Sequence, residues 1–194
     1  MQKKFNAWLI TKKNNKTCSS YLELESNKYL SGEVIIQVKN SALNYKDALA
    51  LTGSAPIIRK FPLIPGIDLS GVVIQSKNKK FSEGDRVFTT GWGLGELQNG
   101  GLSSHASTDA DMLIKVPNKY THSYIMGLGT AGLTAMLAVL ALNENSIKPD
   151  AGKVLVTGSS GAVGGIATKL LLKLGYDVVA LTSRPEYNRD YLKS

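Results

Sequence analysis

Cysteine and histidine are scarce: Cys18 is the only thiol, and His105 and His122 the only imidazoles, in 194 residues. One thiol closes no intrachain disulfide, so a disulfide-stapled scaffold is excluded. The N-terminus has little apolar length; residues 5–10 form a short patch between Lys3-Lys4 and Lys12-Lys13, with no secretory signal pattern. A lone thiol without such a signal fits a reducing compartment, and a cytoplasmic location is expected. A catalytic zinc needs about three Cys, His or carboxylate ligands and an open position. Cys18, His105 and His122 have no ligand-spaced partners, so no metal is expected. Acidic residues are outnumbered, 15 against 23 Lys plus Arg, for a net charge of +8. The lysines, among them Lys12, Lys13, Lys16, Lys28, Lys39, Lys46, Lys77, Lys79 and Lys80, are scattered rather than gathered in a stripe with interleaved aromatics, so no nucleic-acid partner is expected. Long apolar runs are also rare. One apolar stretch, residues 125–142, is uncharged for 18 residues and reaches only the lower limit for a spanning helix. Gly127, Gly129, Thr130, Gly132 and Thr134 within it, and the lack of a basic flank, favour a closely packed buried helix; no membrane span is expected.

What is present is a 43% hydrophobic composition, enough for a core and incompatible with disorder. Residues 1–120 read as a β-rich domain with strands at 5–10, 34–39, 71–76, 86–90 and 113–116, and one short helix near 44–51. The mixed turns suggest a partly closed barrel. Residues 121–194 change texture: a long apolar helix, a polar linker at 143–153, a strand at 154–157, a helix at 166–174, a strand at 177–182 and a further helix from about 185. This is a βαβ unit at the start of a parallel, doubly wound sheet, so the fold class is α/β with a β-rich N-terminal part. Such sheets have about six strands. Two are expected here, and the reading is of a chain truncated after its second strand.

Val156-Thr157-Gly158-Ser159-Ser160-Gly161-Ala162-Val163-Gly164 sets three glycines at dinucleotide spacing between strand and helix. The first permits a tight turn, the second lets backbone N–H groups approach a pyrophosphate, and the third lets the helix pack against the strand. The second strand ends in Thr182-Ser183-Arg184 where an acidic residue would bind the ribose of NAD. A hydroxyl and a guanidinium suit a 2′-phosphate, which favours NADP(H).

Further blocks are Leu43-Asn44-Tyr45-Lys46-Asp47-Ala48-Leu49-Ala50, Ile57-Ile58-Arg59-Lys60-Phe61-Pro62, Pro65-Gly66-Ile67-Asp68, Thr90-Gly91-Trp92-Gly93 and Gly129-Thr130-Ala131-Gly132-Leu133-Thr134-Ala135. With them the chain resembles the medium-chain dehydrogenase/reductase superfamily, in its zinc-independent, quinone oxidoreductase-like branch, and most closely the acryloyl-CoA reductase (AcuI/YhdH-type) family. The resemblance implies a GroES-like N-terminal domain, a Rossmann cofactor domain with the active site in the cleft between them, and a homodimer. It further implies Tyr45 beside the nicotinamide, Ser160, Gly161, Ala162 and Val163 on the pyrophosphate, and Thr182, Ser183 and Arg184 on the 2′-phosphate. The implied reaction is NADPH-dependent reduction of the C=C bond of acryloyl-CoA to propanoyl-CoA. Asp68 stands where zinc-dependent relatives tend to show a His-Glu pair.

Hydride delivery to the β carbon gives the thioester oxygen enolate character, so a nearby donor lowers the barrier. Tyr45 is the candidate for that role, and also for general acid toward the α carbon; the competing role is a wall that positions the nicotinamide. Asn44 and Asp47 are read chiefly as helix caps. Arg59 and Lys60 are candidates for coenzyme A phosphates or for a solvated loop. Thr130 and Thr134 either meet the nicotinamide carboxamide or bond back to their own helix. Ser103, Ser104 and His105 lack a nucleophile elbow and carry no hydrolase reading. Two alternatives stand beside the acryloyl-CoA reductase: an NADPH-dependent quinone or enone reductase, and a noncatalytic remnant that binds nucleotide weakly.

Overall fold

Strand β1 (Lys4–Lys13) buries Phe5, Ala7 and Leu9 and turns Lys4, Asn6 and Trp8 outward, the period-two pattern of a strand with one face on a core. The computed structural model describes residues 3–193. Asn14 and Asn15, at φ 49° and 61°, supply the two left-handed residues of a tight hairpin turn. Strand β2 (Lys16–Glu25) then returns antiparallel along the whole of β1. The sequence reading ended the first strand at residue 10 and had no β2. Only Leu24 of its ten residues is buried, so no apolar alternation marks a strand held extended by its partner.

After a single helical turn, α1 (Ser26–Tyr29), come β3 (Val34–Asn40), helix α2 (Tyr45–Thr52), β4 (Asp68–Ser76), β5 (Arg86–Thr90), β6 (His105–Thr108) and β7 (Ile114–Lys115). These strands form an antiparallel sheet of order β6-β3-β4-β5-β7. Val34, Ile36, Leu69, Val73, Val87 and Leu94 are fully buried at its centre. Burial of each such side chain contributes about 1.5–3 kcal/mol. A second cluster, with Phe5, Leu9, Leu24, Ile35 and Ile64, seats the hairpin on the sheet, and a third, with Ile10, Ala50, Ile58 and Leu63, seats α2.

β4 begins three residues before the expected position. Asp68 and Ser70, polar residues at its start, are both buried, with hydrogen bonds made internally. The Ser41 hydroxyl donates to the Asp68 carbonyl (2.6 Å) and the Ser70 hydroxyl to the Val87 carbonyl (3.0 Å). Polar His105 and Thr108 concealed β6 in the same way. The strand expected at 113–116 contracts to β7, confined between a 3-10 turn at Ala110–Met112 and Pro117.

Ser70 Oγ also lies 2.7 Å from Nδ1 of His122. Its one hydrogen goes to Val87, so Nδ1 of His122 is the donor in this contact. Burial, then the nearby Arg86 and Lys39, hold the His122 pKa below the ordinary 6.5. Burial, then Lys39, does the same for His105. The folded state thus favours both imidazoles neutral, while an unfolded chain protonates them near pH 6.5. Their stabilisation is complete above that pH and is lost as pH falls through the folded values. The melting temperature of the chain is expected to fall between about pH 7.5 and about pH 5.5, and less so in a His105→Asn/His122→Asn variant. Scanning calorimetry across that range checks this; parallel profiles would contradict it.

The chain forms two compact units, Met1–Gly129 and Thr130–Ser194. The junction falls inside α3 (His122–Glu144), where Gly129 adopts φ 47° and ψ −149°, outside helical geometry. By length and composition α3 is long and apolar enough to cross a membrane. The break divides it into pieces at 122–128 and 130–144, each shorter than the roughly 20 residues of a continuous span.

In the second unit β8 (Lys153–Thr157) pairs in parallel with β9 (Asp177–Leu181), joined through α4 (Ala162–Lys173) and followed by α5 (Pro185–Lys193). Val139, Leu171 and Tyr176 form its core, with Leu142, Val154, Val156, Leu170 and Val178 against them. The Tyr176 hydroxyl lies 2.9 Å from Asn143 Oδ1 and 2.8 Å from the Ile147 carbonyl, tying the linker to the sheet. Helix α4 starts at Ala162 rather than 166, and Gly164 and Gly165 already lie within it.

Candidate functional site

Helix α2 presents Tyr45 at its first position, with the side chain 81% exposed. The helix is anchored by Asp47, whose carboxylate is buried and accepts the backbone N–H of Asn44 (2.8 Å) and of Ile67 (3.1 Å). Burial pushes the Asp47 carboxyl above the ordinary carboxylate range, against these hydrogen bonds. Asn44 in turn donates through Nδ2 to Asp68 Oδ2 (2.8 Å). Asn44 and Asp47 therefore act within the protein, as a helix cap and as a tie between α2 and the start of β4.

Gly129 packs against the same carboxylate: a Cβ there would lie 2.6 Å from Asp68 Oδ2. Loop 91–98 closes over this region. The Gly91 N–H donates to the Ile67 carbonyl (2.9 Å), and Lys46 pairs with Glu96 at 3.0 Å. Trp92, at φ 54° and 64% exposed, projects from the loop. A bulky residue in left-handed backbone costs about 1–3 kcal/mol, a strain typical of ligand sites. The segments at 43–50, 57–62, 65–68 and 90–93, dispersed in sequence, thus converge within the first unit. In the sequence Trp92 is one residue of the 90–93 block; its backbone strain is visible only in the fold.

The second unit carries the nucleotide turn. Gly158 is left-handed at φ 61°, and Gly161 N–H donates back to its carbonyl (2.8 Å). A Cβ on Gly164 would lie 2.3 Å from the Gly158 carbonyl oxygen, so only glycine lets α4 start this close to the strand. At that start the first backbone N–H groups have no intrahelical acceptor, a ready cradle for an anion. Ser159 is buried and donates its hydroxyl to the Leu181 carbonyl (2.8 Å). The Ser160 and Thr182 hydroxyls lie 3.0 Å apart. Thr182 Oγ1 also accepts from Asn188 Nδ2 (3.1 Å), a contact with α5 that the sequence reading did not contain. Ser160, Thr182 and the exposed Ser183 and Arg184 therefore lie at one end of the two strands, beside Gly161, Ala162 and Val163. Thr134 Oγ1 donates to the Thr130 carbonyl (2.7 Å), the back-bonded alternative. Among the described residues no three His, Cys, Asp or Glu side chains gather as a metal site.

Residues 30–118 match the alcohol dehydrogenase GroES-like domain. Over 192 residues the chain is 43% identical to the acrylyl-CoA reductase AcuI of Ruegeria pomeroyi, covering 98% of this chain and 58% of that protein. Among solved structures it is similar to the YhdH oxidoreductase of Salmonella enterica in complex with NADP, at 46% identity and a TM-score of 0.93, over 97% of this chain and 58% of that one. It is also similar to YhfP of Bacillus subtilis with NAD bound, at 41% identity and a TM-score of 0.92, over 99% and 58%. The chain thus spans a little over half the length of the relatives it matches.

Proposed function

We propose, from its likeness to the AcuI and YhdH proteins, that the chain is part of a medium-chain dehydrogenase/reductase that reduces the C=C bond of acryloyl-CoA with NADPH, giving propanoyl-CoA. The observation that carries this reading is the 3.0 Å contact of Ser160 with Thr182, which sets the glycine turn beside a strand end that offers hydroxyls and a guanidinium. The turn fits a dinucleotide: a Cβ would fill it at Gly164, and its helix start offers N–H donors.

In this reading Ser160, Gly161, Ala162 and Val163 hold the pyrophosphate, and Thr182, Ser183 and Arg184 hold the 2′-phosphate. When bound, the reduced nicotinamide supplies a hydride to the β carbon. Tyr45 donates a hydrogen bond to the thioester oxygen as it gains enolate character, and the α carbon takes its proton from solvent or from Tyr45.

The test is acryloyl-CoA-dependent oxidation of NADPH by the chain and by Tyr45→Phe. Loss of the donor is expected to lower kcat about 100-fold with NADPH affinity unchanged. A kcat retained within about twofold would leave Tyr45 only a wall. No turnover of acryloyl-CoA by the unsubstituted chain would remove the reductase reading.

A further inference from the structure

A recess lies in the unit Met1–Gly129: a cavity of about 470 Å³ whose lining includes Lys28, Tyr29, Lys60, Gln98, Asn99 and Asp109. We propose that this cavity is the subsite for the phosphate-bearing nucleotide end of a coenzyme A thioester, with Lys28 and Lys60 as the cations that meet its phosphates. The assignment rests on the acyl-CoA reading given above and adds to it a place for the part of the substrate far from the reacting carbons.

The cavity is within the size range of small-molecule sites, about 300–1,000 Å³. Its walls are fixed before any ligand arrives. Asn99 accepts the Ile64 N–H through Oδ1 (3.1 Å) and donates through Nδ2 to the Tyr29 carbonyl (3.2 Å), which ties α1 to the 57–64 segment. The Gly32 N–H donates to Ser107 Oγ (3.1 Å), which ties the start of β3 to β6. Such preorganisation lowers the ordering cost of binding.

The charge pattern selects the ligand. Lys46, Lys80 and Lys115 are paired with carboxylates, whereas Lys28 and Lys60 form no ion pair among the described residues. The Lys28 ammonium lies 5.6 Å from the Tyr29 ring centroid, so an aromatic face accompanies the cation. Asp109 in the same lining would repel a bare anion, yet it is an acceptor for an adenine amine or a ribose hydroxyl. Two cations, an aromatic ring and one acceptor suit a nucleotide phosphate rather than an isolated phosphate ion. Of the neighbours Arg59 and Lys60, only Lys60 lines the cavity; the Arg59 backbone N–H donates to the Glu96 carbonyl (3.0 Å).

One wall of the cavity belongs to the loop that is tied to α2. Leu97 and Gln98 line it, and both belong to the loop that carries Trp92, whose carbonyl accepts the Gln98 side-chain amide (2.8 Å). Lys46 on α2 pairs with Glu96 of that loop. An extended pantetheine arm leaving the cavity past Leu97 and Trp92 would run toward the helix that begins with Tyr45.

Isothermal titration of the chain with coenzyme A, dephospho-coenzyme A, pantetheine and NADPH tests the subsite without turnover. Coenzyme A is expected to bind more tightly than pantetheine. A Lys28→Ala/Lys60→Ala variant, altered only at exposed side chains, is expected to lose about tenfold in coenzyme A affinity. Its affinities for pantetheine and NADPH should stay unchanged, since the NADPH phosphates are assigned to the other unit. Equal binding of coenzyme A and pantetheine, or a double variant that keeps its coenzyme A affinity, would overturn the proposal. The two readings fail separately. Coenzyme A binding that depends on the lysines, without reduction of acryloyl-CoA, removes the reductase and keeps the subsite. Reduction with an unaltered KM in the double variant does the reverse.

Discussion

Gly164→Ala is expected to weaken NADPH binding about 10- to 100-fold while the N-terminal unit keeps its fold. The added methyl would sit 2.3 Å from the Gly158 carbonyl oxygen and 2.9 Å from Ser159 Cα, both main-chain atoms with no flexible end to swing away. Forcing a methyl into filled space costs about 1–3 kcal/mol, and each 1.4 kcal/mol is tenfold in affinity. The strain falls on the turn itself, because moving α4 away from β8 opens the cradle of N–H groups. Gly161→Ala provides the contrast. Its Cβ would meet only the Gly158 carbonyl oxygen, at 3.2 Å, a contact relieved by a shift of a few tenths of an ångström, so a smaller loss of affinity is expected there. Fluorescence titration with NADPH, with circular dichroism to follow the fold, separates the two. Unchanged affinity in Gly164→Ala would contradict the assignment of this turn.

Asp47→Ala is expected to destabilise the N-terminal unit by about 3 kcal/mol. The substitution leaves the backbone N–H groups of Asn44 and Ile67 without their acceptor in the interior, at about 1–3 kcal/mol each. Part of the loss is offset, since burial already disfavours the charged carboxylate. A loss of that size lowers the melting temperature by roughly 10 °C in a unit of this length. Asp47→Asn retains one acceptor oxygen and is expected to lose about half as much. Trp8 and Trp92, the two tryptophans of the chain, both lie in this unit, so urea unfolding followed by tryptophan fluorescence reads its stability directly. An Asp47→Ala variant within about 0.5 kcal/mol of the parent would show that the tie between α2 and residue 67 is dispensable.

How much of this was legible in the residues depended on whether an element carries its own pattern. β5 is bounded by Glu83-Gly84-Asp85 and its strand stood out, as did the parallel pair with its glycine turn and β-branched residues. β2 has one buried residue and no period, and β6 is mostly polar, so both exist through pairing with neighbours rather than through local preference. The candidate site divides along the same line. Ser160 and Thr182 were legible because the dinucleotide pattern is local at each end and the parallel sheet joins the ends. Tyr45 is named as a site residue by resemblance alone. The left-handed backbone of Trp92, the fit of Gly129 against Asp68, and the cavity that Lys28 and Lys60 both line are tertiary. No window of sequence contains them.

The account stands most directly on one titration: NADPH and NADH, each added to the chain under identical salt, followed by acryloyl-CoA. Charge-assisted hydrogen bonds to a phosphate contribute about 1.5–3 kcal/mol, so NADPH is expected to bind at least about tenfold more tightly than NADH and to be oxidised when acryloyl-CoA is added. Equal affinity for the two nucleotides would contradict the reading of Thr182, Ser183 and Arg184 as a phosphate site. Binding of neither would contradict the assignment of the glycine turn itself.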